Sequence, residues 1–335
     1  MLCSHEPALL TVRISTAARD WPWLRQTPGG SGQWGNCRFV IDEPVESCDY
    51  WVVYDGLLEA ESTNCPAGAT LLVTAEPPSV KLYRPGFVAQ FGAVRTCHRR
   101  LVHPRVTLGQ PALPWHVGRR QQAHQNLAFT WDYDALKGVS SFPKSRLISV
   151  ISSDKVQTAG HRRRLALVRK LKAYFGDRLD VFGRGIREVE DKWDAIAPYR
   201  YHIALENGVY PHYWTEKLSD AFLAGAFPLY LGCPNVGEYF AGGSFTPLDA
   251  SDPARAIATI EQAIADQRYE RSLGDLAEAR RLVLDQYNLF PLLADMLAAF
   301  PPSGDRVPTT LRPETDFPRR SKLGRVLQRR REGPG

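Results

Sequence analysis

The chain has 335 residues, of which 44% are hydrophobic, 10% aromatic and 23% charged, a composition that excludes the disordered, collagenous and small disulfide-stapled classes. Its formal net charge is +6, but seven basic residues and no acidic one lie between Arg319 and Arg331, which leaves 35 basic and 36 acidic residues elsewhere. The body is electrically balanced, which argues against a nucleic-acid-binding surface, and the length favours two domains or one large one.

From the N-terminus, Leu9–Ile14, Tyr50–Tyr54 and Ala69–Thr74 read as short buried strands, each a continuous apolar run bounded by turn or charged residues. Gly/Ser/Trp-rich loops such as Thr27–Gly35 lie between them, with room to shape a binding surface. The start of the chain lacks a basic segment followed by an apolar one, and no stretch reaches the roughly 18 to 20 apolar residues of a membrane-spanning helix, so a cytoplasmic protein is expected. Six scattered cysteines without metal-ligand spacing read as reduced thiols.

After Gln121 the pattern changes to alternating strands and helices. Leu147–Ser152, Leu179–Gly183, His202–Leu205 and Phe227–Leu231 read as strands, while Arg162–Tyr174 and Thr215–Gly225 read as helices. This alternation predicts a parallel sheet with crossover helices, whose ligands bind outside the carboxyl ends of the strands and at helix N-termini. Ala254–Asp266 and Arg271–Gln286 follow as amphipathic helices. The expected domains are 1–130, 131–300 and a basic tail 301–335.

The densest polar constellation is Glu206-Asn207-Gly208 followed by Tyr213-Trp214-Thr215-Glu216-Lys217. Thr215 is placed to cap a helix, and the N–H groups of that helix with the Lys217 charge suit a phosphate. First-turn surface residues and a turn-forming Asn are an equally good reading from the residues alone. Arg162-Arg163-Arg164 start the preceding helix, and one of the three can meet the same anion while the others form a solvated face. Glu76, directly after a strand and held by Pro77-Pro78, is a candidate general base, although an exposed loop carboxylate is the commoner outcome. Asp132-Tyr133-Asp134 resembles a metal-holding tripeptide but sits in a connection, so no metal is assigned to it. Walker-type, dinucleotide and Gly-x-Ser-x-Gly patterns do not occur.

Tyr199-Arg200-Tyr201-His202-Ile203-Ala204-Leu205-Glu206-Asn207, then Tyr213 to Leu218, Ala224 to Gly232 and Ser244-Phe245, resemble in order and spacing the signature of the α1,3/1,4-fucosyltransferases of glycosyltransferase family 10. The resemblance implies an α/β, GT-B-like fold: two Rossmann-like domains facing across a cleft, with the N-terminal domain taking the acceptor and the C-terminal domain GDP-fucose. It implies an inverting enzyme that needs no metal, acting on a glycan acceptor such as bacterial lipopolysaccharide. By position, Arg164 and Lys217 match phosphate-binding cations, Asn207, Tyr213 and Glu216 match residues that line the donor site, Glu216 near the ribose or the fucosyl ring with a catalytic role, and Glu76 resembles the catalytic base. Another nucleotide-sugar donor, or a non-catalytic nucleotide- or carbohydrate-binding protein, is the alternative. Departures from the signature are Trp214, His212, Gly208 and Ser152-Ser153-Asp154.

In the tail, Leu323, Val326 and Leu327 lie at helical spacing among the basic residues of 319–331. A short basic amphipathic helix there would suit an anionic membrane surface on the cytoplasmic side; a disordered solubilising tail is the alternative.

Overall fold

The computed structural model describes residues 8–120, 128–152 and 159–319. They form two compact α/β units, Met1–Leu113 with Asn288–Gly335, and Pro114–Tyr287.

The first unit is built on the parallel strands β1 (Leu10–Thr16), β2 (Cys37–Ile41), β3 (Tyr50–Tyr54), β4 (Thr70–Val73), β5 (Ala93–Thr96) and β6 (Val106–Leu108), in the order β2-β1-β3-β4-β5-β6. The short strand Gln33–Trp34 adds antiparallel to the β2 edge. A parallel sheet is covered on both faces, so its strands carry apolar residues at every position rather than at alternate ones. β3 shows this directly. Tyr50, Val52 and Tyr54 pack into one core with Val12, Ile14 and Leu71, and Trp51 and Val53 pack into another with Leu72, Phe87 and Val94.

The helix Leu289–Ala298 belongs to this unit: Leu289, Phe290, Leu293 and Leu297 are buried in the first of these cores, and Phe39 meets Phe290 edge-on at 5.1 Å. Asn288 caps that helix through the Phe290 N–H and donates to the Gln26 carbonyl at 2.9 Å. The sequence-based boundary at residue 130 and the one at 300 therefore move, because a helix of almost wholly apolar residues buries its face against the first sheet. Nor does the tail begin at 301. Arg306–Leu311 pairs antiparallel with Glu61–Pro66, Leu311 is buried, and the Glu314 carboxylate accepts the Arg84 N–H at 2.7 Å. Arg319 is exposed, and the remainder of the expected membrane-docking segment, 320–331, lies outside the described residues.

The second unit carries β7 (Arg146–Ile151), α1 (Ala159–Phe175), β8 (Leu179–Phe182), α2 (Lys192–Ile196), β9 (Tyr199–Leu205), α3 (Glu216–Leu223) and β10 (Phe227–Leu231). Its sheet is parallel in the order β8-β7-β9-β10, with Thr246–Pro247 beyond β10. α1 buries Leu167, Val168, Leu171 and Phe175. Gly225 ends the α3 turn with φ +62°, and the Phe142 ring leaves no room there for a β-carbon. Three further helices follow: Pro253–Ala265, capped by Asp252, the short Arg268–Arg271, and Leu273–Asp285. The expected alternation of strands and helices is thus present.

Truncating Phe290 to alanine removes a fully buried ring from the first core. The expected loss is about 3–5 kcal/mol of stability, read from the urea midpoint of the first unit; a loss under about 1 kcal/mol would detach this helix from that core.

Candidate functional site

The site grows from the carboxyl end of β9. Glu206 leaves the strand with its side chain fully buried, and its carboxylate accepts both the Thr215 N–H and the Thr215 hydroxyl at 2.8 Å. Thr215 in turn caps α3 by accepting the Lys217 N–H at 3.3 Å. The loop between Glu206 and Thr215 is therefore clamped at both ends by one carboxyl group. Asn207, the next residue, accepts a 2.6 Å hydrogen bond from the Arg164 guanidinium, which reaches it from α1. Arg164 is buried whereas Arg162 is exposed; the Arg163 side chain lies outside the described part.

Along the start of α3 the charges alternate. Lys217 Nζ lies 2.8 Å from Glu216 and 3.7 Å from Glu206. Lys192, from α2, lies 3.6 Å from Glu216 and 3.3 Å from Asp220. Asp220 accepts the backbone N–H groups of His116 at 2.8 Å and Val117 at 3.1 Å. The ends of both helices are tied together: Lys144 Nζ donates to the carbonyls of Ala197 at 2.7 Å and Ala224 at 3.0 Å, the residues that close α2 and α3. Burial pushes the Lys144 amine down to about 7.

Burial dominates the electrostatics and neighbours redirect it. Burial alone would raise the Glu216 carboxyl, but Lys217, His116 and Lys192 hold it well below the usual carboxylate range. Lys217 is raised against its own burial by Glu216 and Glu206, and Arg164 beside it pulls the other way. Burial lowers Arg164, opposed by Glu206, Glu216 and Tyr213. His116 is driven well below the ordinary imidazole value by burial and by Lys192, and so stays neutral. Glu206 is pushed up to about 7 by burial, against the pull of Lys217.

Five residues singled out in the sequence, Arg164, Asn207, Tyr213, Glu216 and Lys217, are therefore gathered within the second unit. Glu76 lies in the first unit, half-buried just beyond β4, on a backbone pinned by the Ala75 N–H to Asp55 (3.1 Å) and by the Glu76 carbonyl to His98 Nε2 (2.8 Å). Sequence reasoning missed His116, Lys192 and Asp220. Asp220 stands four residues after Glu216 on one helix face, a spacing that could have flagged it; His116 and Lys192 carry no local signal, because only the fold brings them near. Two of the departures from the signature, Trp214 and His212, are absorbed by packing, while Ser153 and Asp154 lie outside the described residues. Trp214 sits edge-on to Tyr239 (5.6 Å), Phe240 (5.1 Å) and Tyr287 (5.6 Å), and the His212 ring bonds the Tyr239 hydroxyl at 2.7 Å. Asp132 caps a helix through the Ala135 N–H, a structural role. Among the described residues no group of three or more His, Cys, Asp or Glu is placed to hold a metal ion.

The raised Glu206 has a measurable sign. A carboxyl with a folded value of about 7 and an unfolded one near 4.5 binds more protons folded than unfolded between those values, so its contribution to stability falls as pH rises from about 4.5 to 7. The full effect is on the order of 3 kcal/mol. The stability of the wild-type chain relative to Glu206→Gln is expected to drop across pH 5 to 7.5 in urea titrations; parallel curves would return Glu206 to an ordinary carboxylate.

Comparison with known proteins places this geometry. Residues 142–270 match the pattern of glycosyltransferase family 10 (fucosyltransferase) C-term. Among similar proteins, α-(1,3)-fucosyltransferase 7 of Bos taurus is 32% identical over 116 residues, covering 33% of this chain and 33% of that protein. The α-(1,3)-fucosyltransferase FucT of Helicobacter pylori is 30% identical over 95 residues, covering 26% of this chain and 20% of its own length. The matched stretch thus spans a third or less of these relatives. A solved α1,3-fucosyltransferase with GDP is similar over 86% of this chain and 94% of that one, with a TM-score of 0.50 and 15% identity. That likeness makes the fold GT-B-like, with two Rossmann-like units, and residues 142–270 are similar to the C-terminal region of glycosyltransferase family 10.

Proposed function

We propose that this chain is an inverting glycosyltransferase that moves fucose from GDP-fucose to a hydroxyl of a glycan acceptor. The observation that carries the reading is the pair of cations from α1 and the start of α3, Arg164, buried and bonded to Asn207, and Lys217, half-buried and paired with Glu216, within the stretch that matches the family. They are close enough to oppose each other's charge, and a diphosphate between them relieves that repulsion. Backbone N–H groups at the α3 start add to the same field.

The chemistry asks for what these residues supply. Cleaving the bond from the anomeric carbon to the diphosphate builds negative charge on the leaving group, and preorganised cations stabilise it more in the transition state than in the ground state. Lys217 starts bound to Glu216, so it is aligned before the donor arrives. The Glu216 carboxylate, held ionised by Lys217 and Lys192, is the group proposed to face the positive character of the sugar. Glu76 is proposed as the general base that takes the proton of the acceptor hydroxyl, since inversion needs a base on the side away from the leaving group. Its pinned backbone and two following prolines suit a fixed role.

Lys217→Ala and Arg164→Ala are expected to weaken GDP binding at least ten-fold, read as a reduced melting shift on adding GDP, while Arg162→Ala leaves it unchanged. Glu76→Gln is expected to keep GDP binding and lower fucosyl transfer by about a hundred- to ten-thousand-fold. Undiminished turnover in that variant would remove Glu76 from its role, and a UDP or CMP sugar shifting the melting point more than GDP would replace the donor.

A further inference from the structure

Lys192 stands outside the residues given to the donor, yet it shares a carboxylate atom with one of them. Glu216 Oε1 faces two ammonium groups, Lys217 at 2.8 Å and Lys192 at 3.6 Å. Lys192 opens α2, and its backbone is fixed there because the capping residue, Asp191, accepts the Trp193 N–H at 2.8 Å and the Gly118 N–H at 2.9 Å. On its other side the amine meets Asp220 Oδ2 at 3.3 Å. That carboxylate is buried, and its other oxygen accepts the His116 and Val117 N–H groups. Lys192 is thus tethered beside Glu216 by an anchor that belongs to the scaffold.

A diphosphate that draws on Lys217 changes the balance at Glu216. The Lys217 amine has three N–H donors and three takers already: Glu216 at 2.8 Å, Thr215 Oγ1 at 3.2 Å and Glu206 at 3.7 Å. A phosphate oxygen must displace one of them, and whichever gives way, new negative charge stands near Glu216 and shares its counter-ion. A buried carboxylate left short of positive charge is costly, and it responds by taking up a proton. Three cations face Glu216 among the described residues. Arg164 and Lys217 are the two given to the phosphates, and the other neighbours, neutral His116 and the carboxylates Glu206 and Asp220, supply no positive charge. Lys192 is the cation left. A shift of about 0.8 Å takes its 3.6 Å contact to the ~2.8 Å of a charge-assisted hydrogen bond.

We propose that Lys192 is a positioning residue for the transfer step: it takes over Glu216 as counter-ion when the diphosphate engages Lys217, and so keeps that carboxylate directed at the sugar. This role rests on the glycosyl-transfer reading and deepens it, since two cations bind and a third compensates. Its signature is counted in protons. Without Lys192, donor binding leaves Glu216 short of positive charge, and the carboxylate takes a proton from solution.

The full chain is titrated calorimetrically with GDP-fucose at pH 6, in buffers of different ionisation enthalpy, so that the protons exchanged on binding are measured with the affinity. Neither phosphate of GDP-fucose titrates near that pH. Wild type is compared with Lys192→Met, with Lys192→Arg, and with Lys192→Met combined with Asp220→Asn, which removes the buried charge that the single Met variant leaves unpaired. Both Met variants are expected to bind at least about ten-fold weaker than wild type and to take up more than about half a proton beyond it, and Lys192→Arg is expected to restore both values. Glu206, pushed up to about 7, contributes alike in every chain. A lost packing contact or a weaker overall field lowers affinity without moving a proton. Wild-type proton uptake in the two Met variants, or no recovery in Lys192→Arg, would therefore overturn the role of Lys192 and leave the donor reading standing. Absence of GDP-fucose binding by the wild type would sink the donor reading, and this role with it.

Discussion

The clasp between Glu206 and Thr215 is the constraint on which the second unit's site depends. A strand end and a helix start, separated by a loop, are joined by one buried carboxyl group that accepts two hydrogen bonds. The cost of burying that carboxyl appears as its raised proton affinity, and the return is geometric. Asn207 is delivered to Arg164, and the first turn of α3 is set so that Glu216 and Lys217 face each other rather than solvent. A flexible loop could hold the same residues, but not with their charges already aligned.

From that clasp follows a line of alternating charge, Glu206, Lys217, Glu216, Lys192 and Asp220. Such a line is stable because each buried ion has an opposite neighbour, and removing one member leaves an uncompensated charge, a costly defect in a low-dielectric interior. Counting Arg164, three cations face three carboxylates, so the line is balanced as a whole, with two of its cations, Arg164 and Lys217, at one end and Asp220, closed by two backbone N–H groups, as an anchor at the other.

How much of this was legible differs between the units. β7 to β10 with α1 and α3 were readable because parallel strands buried on both faces leave long apolar runs, and Thr215 is a helix-cap residue in the right place, whereas α2, five residues long, is too short to show a period. The triplet Arg162-Arg163-Arg164 could not be resolved by pattern, since burial of one arginine depends on which face of α1 meets the sheet. His116 and Lys192 were invisible for a related reason: they are far from α3 in sequence and near it only through chain topology. In the first unit β5 and β6 have four and three residues, too few to show a period. The helix Leu289–Ala298 was passed over because it is apolar nearly all round and carries Pro291 in its first turn, where proline is tolerated but reads as a breaker.

The first unit divides its loops by stiffness. After β4, Pro77 and Pro78 with the Asp55 and His98 hydrogen bonds leave the Glu76 backbone little freedom, which agrees with the general-base role proposed for it. After β1, Gly29, Gly30, Gly32 and Gly35 all adopt positive φ, so that path depends on glycine and a side chain at any of them would be strained. Rigid placement belongs with chemistry that is the same in every turnover. A loop shaped by glycines around tryptophan and arginine is suited to recognition, because its contour can be altered without disturbing Glu76, which follows β4, two strands away from β1 in the sheet.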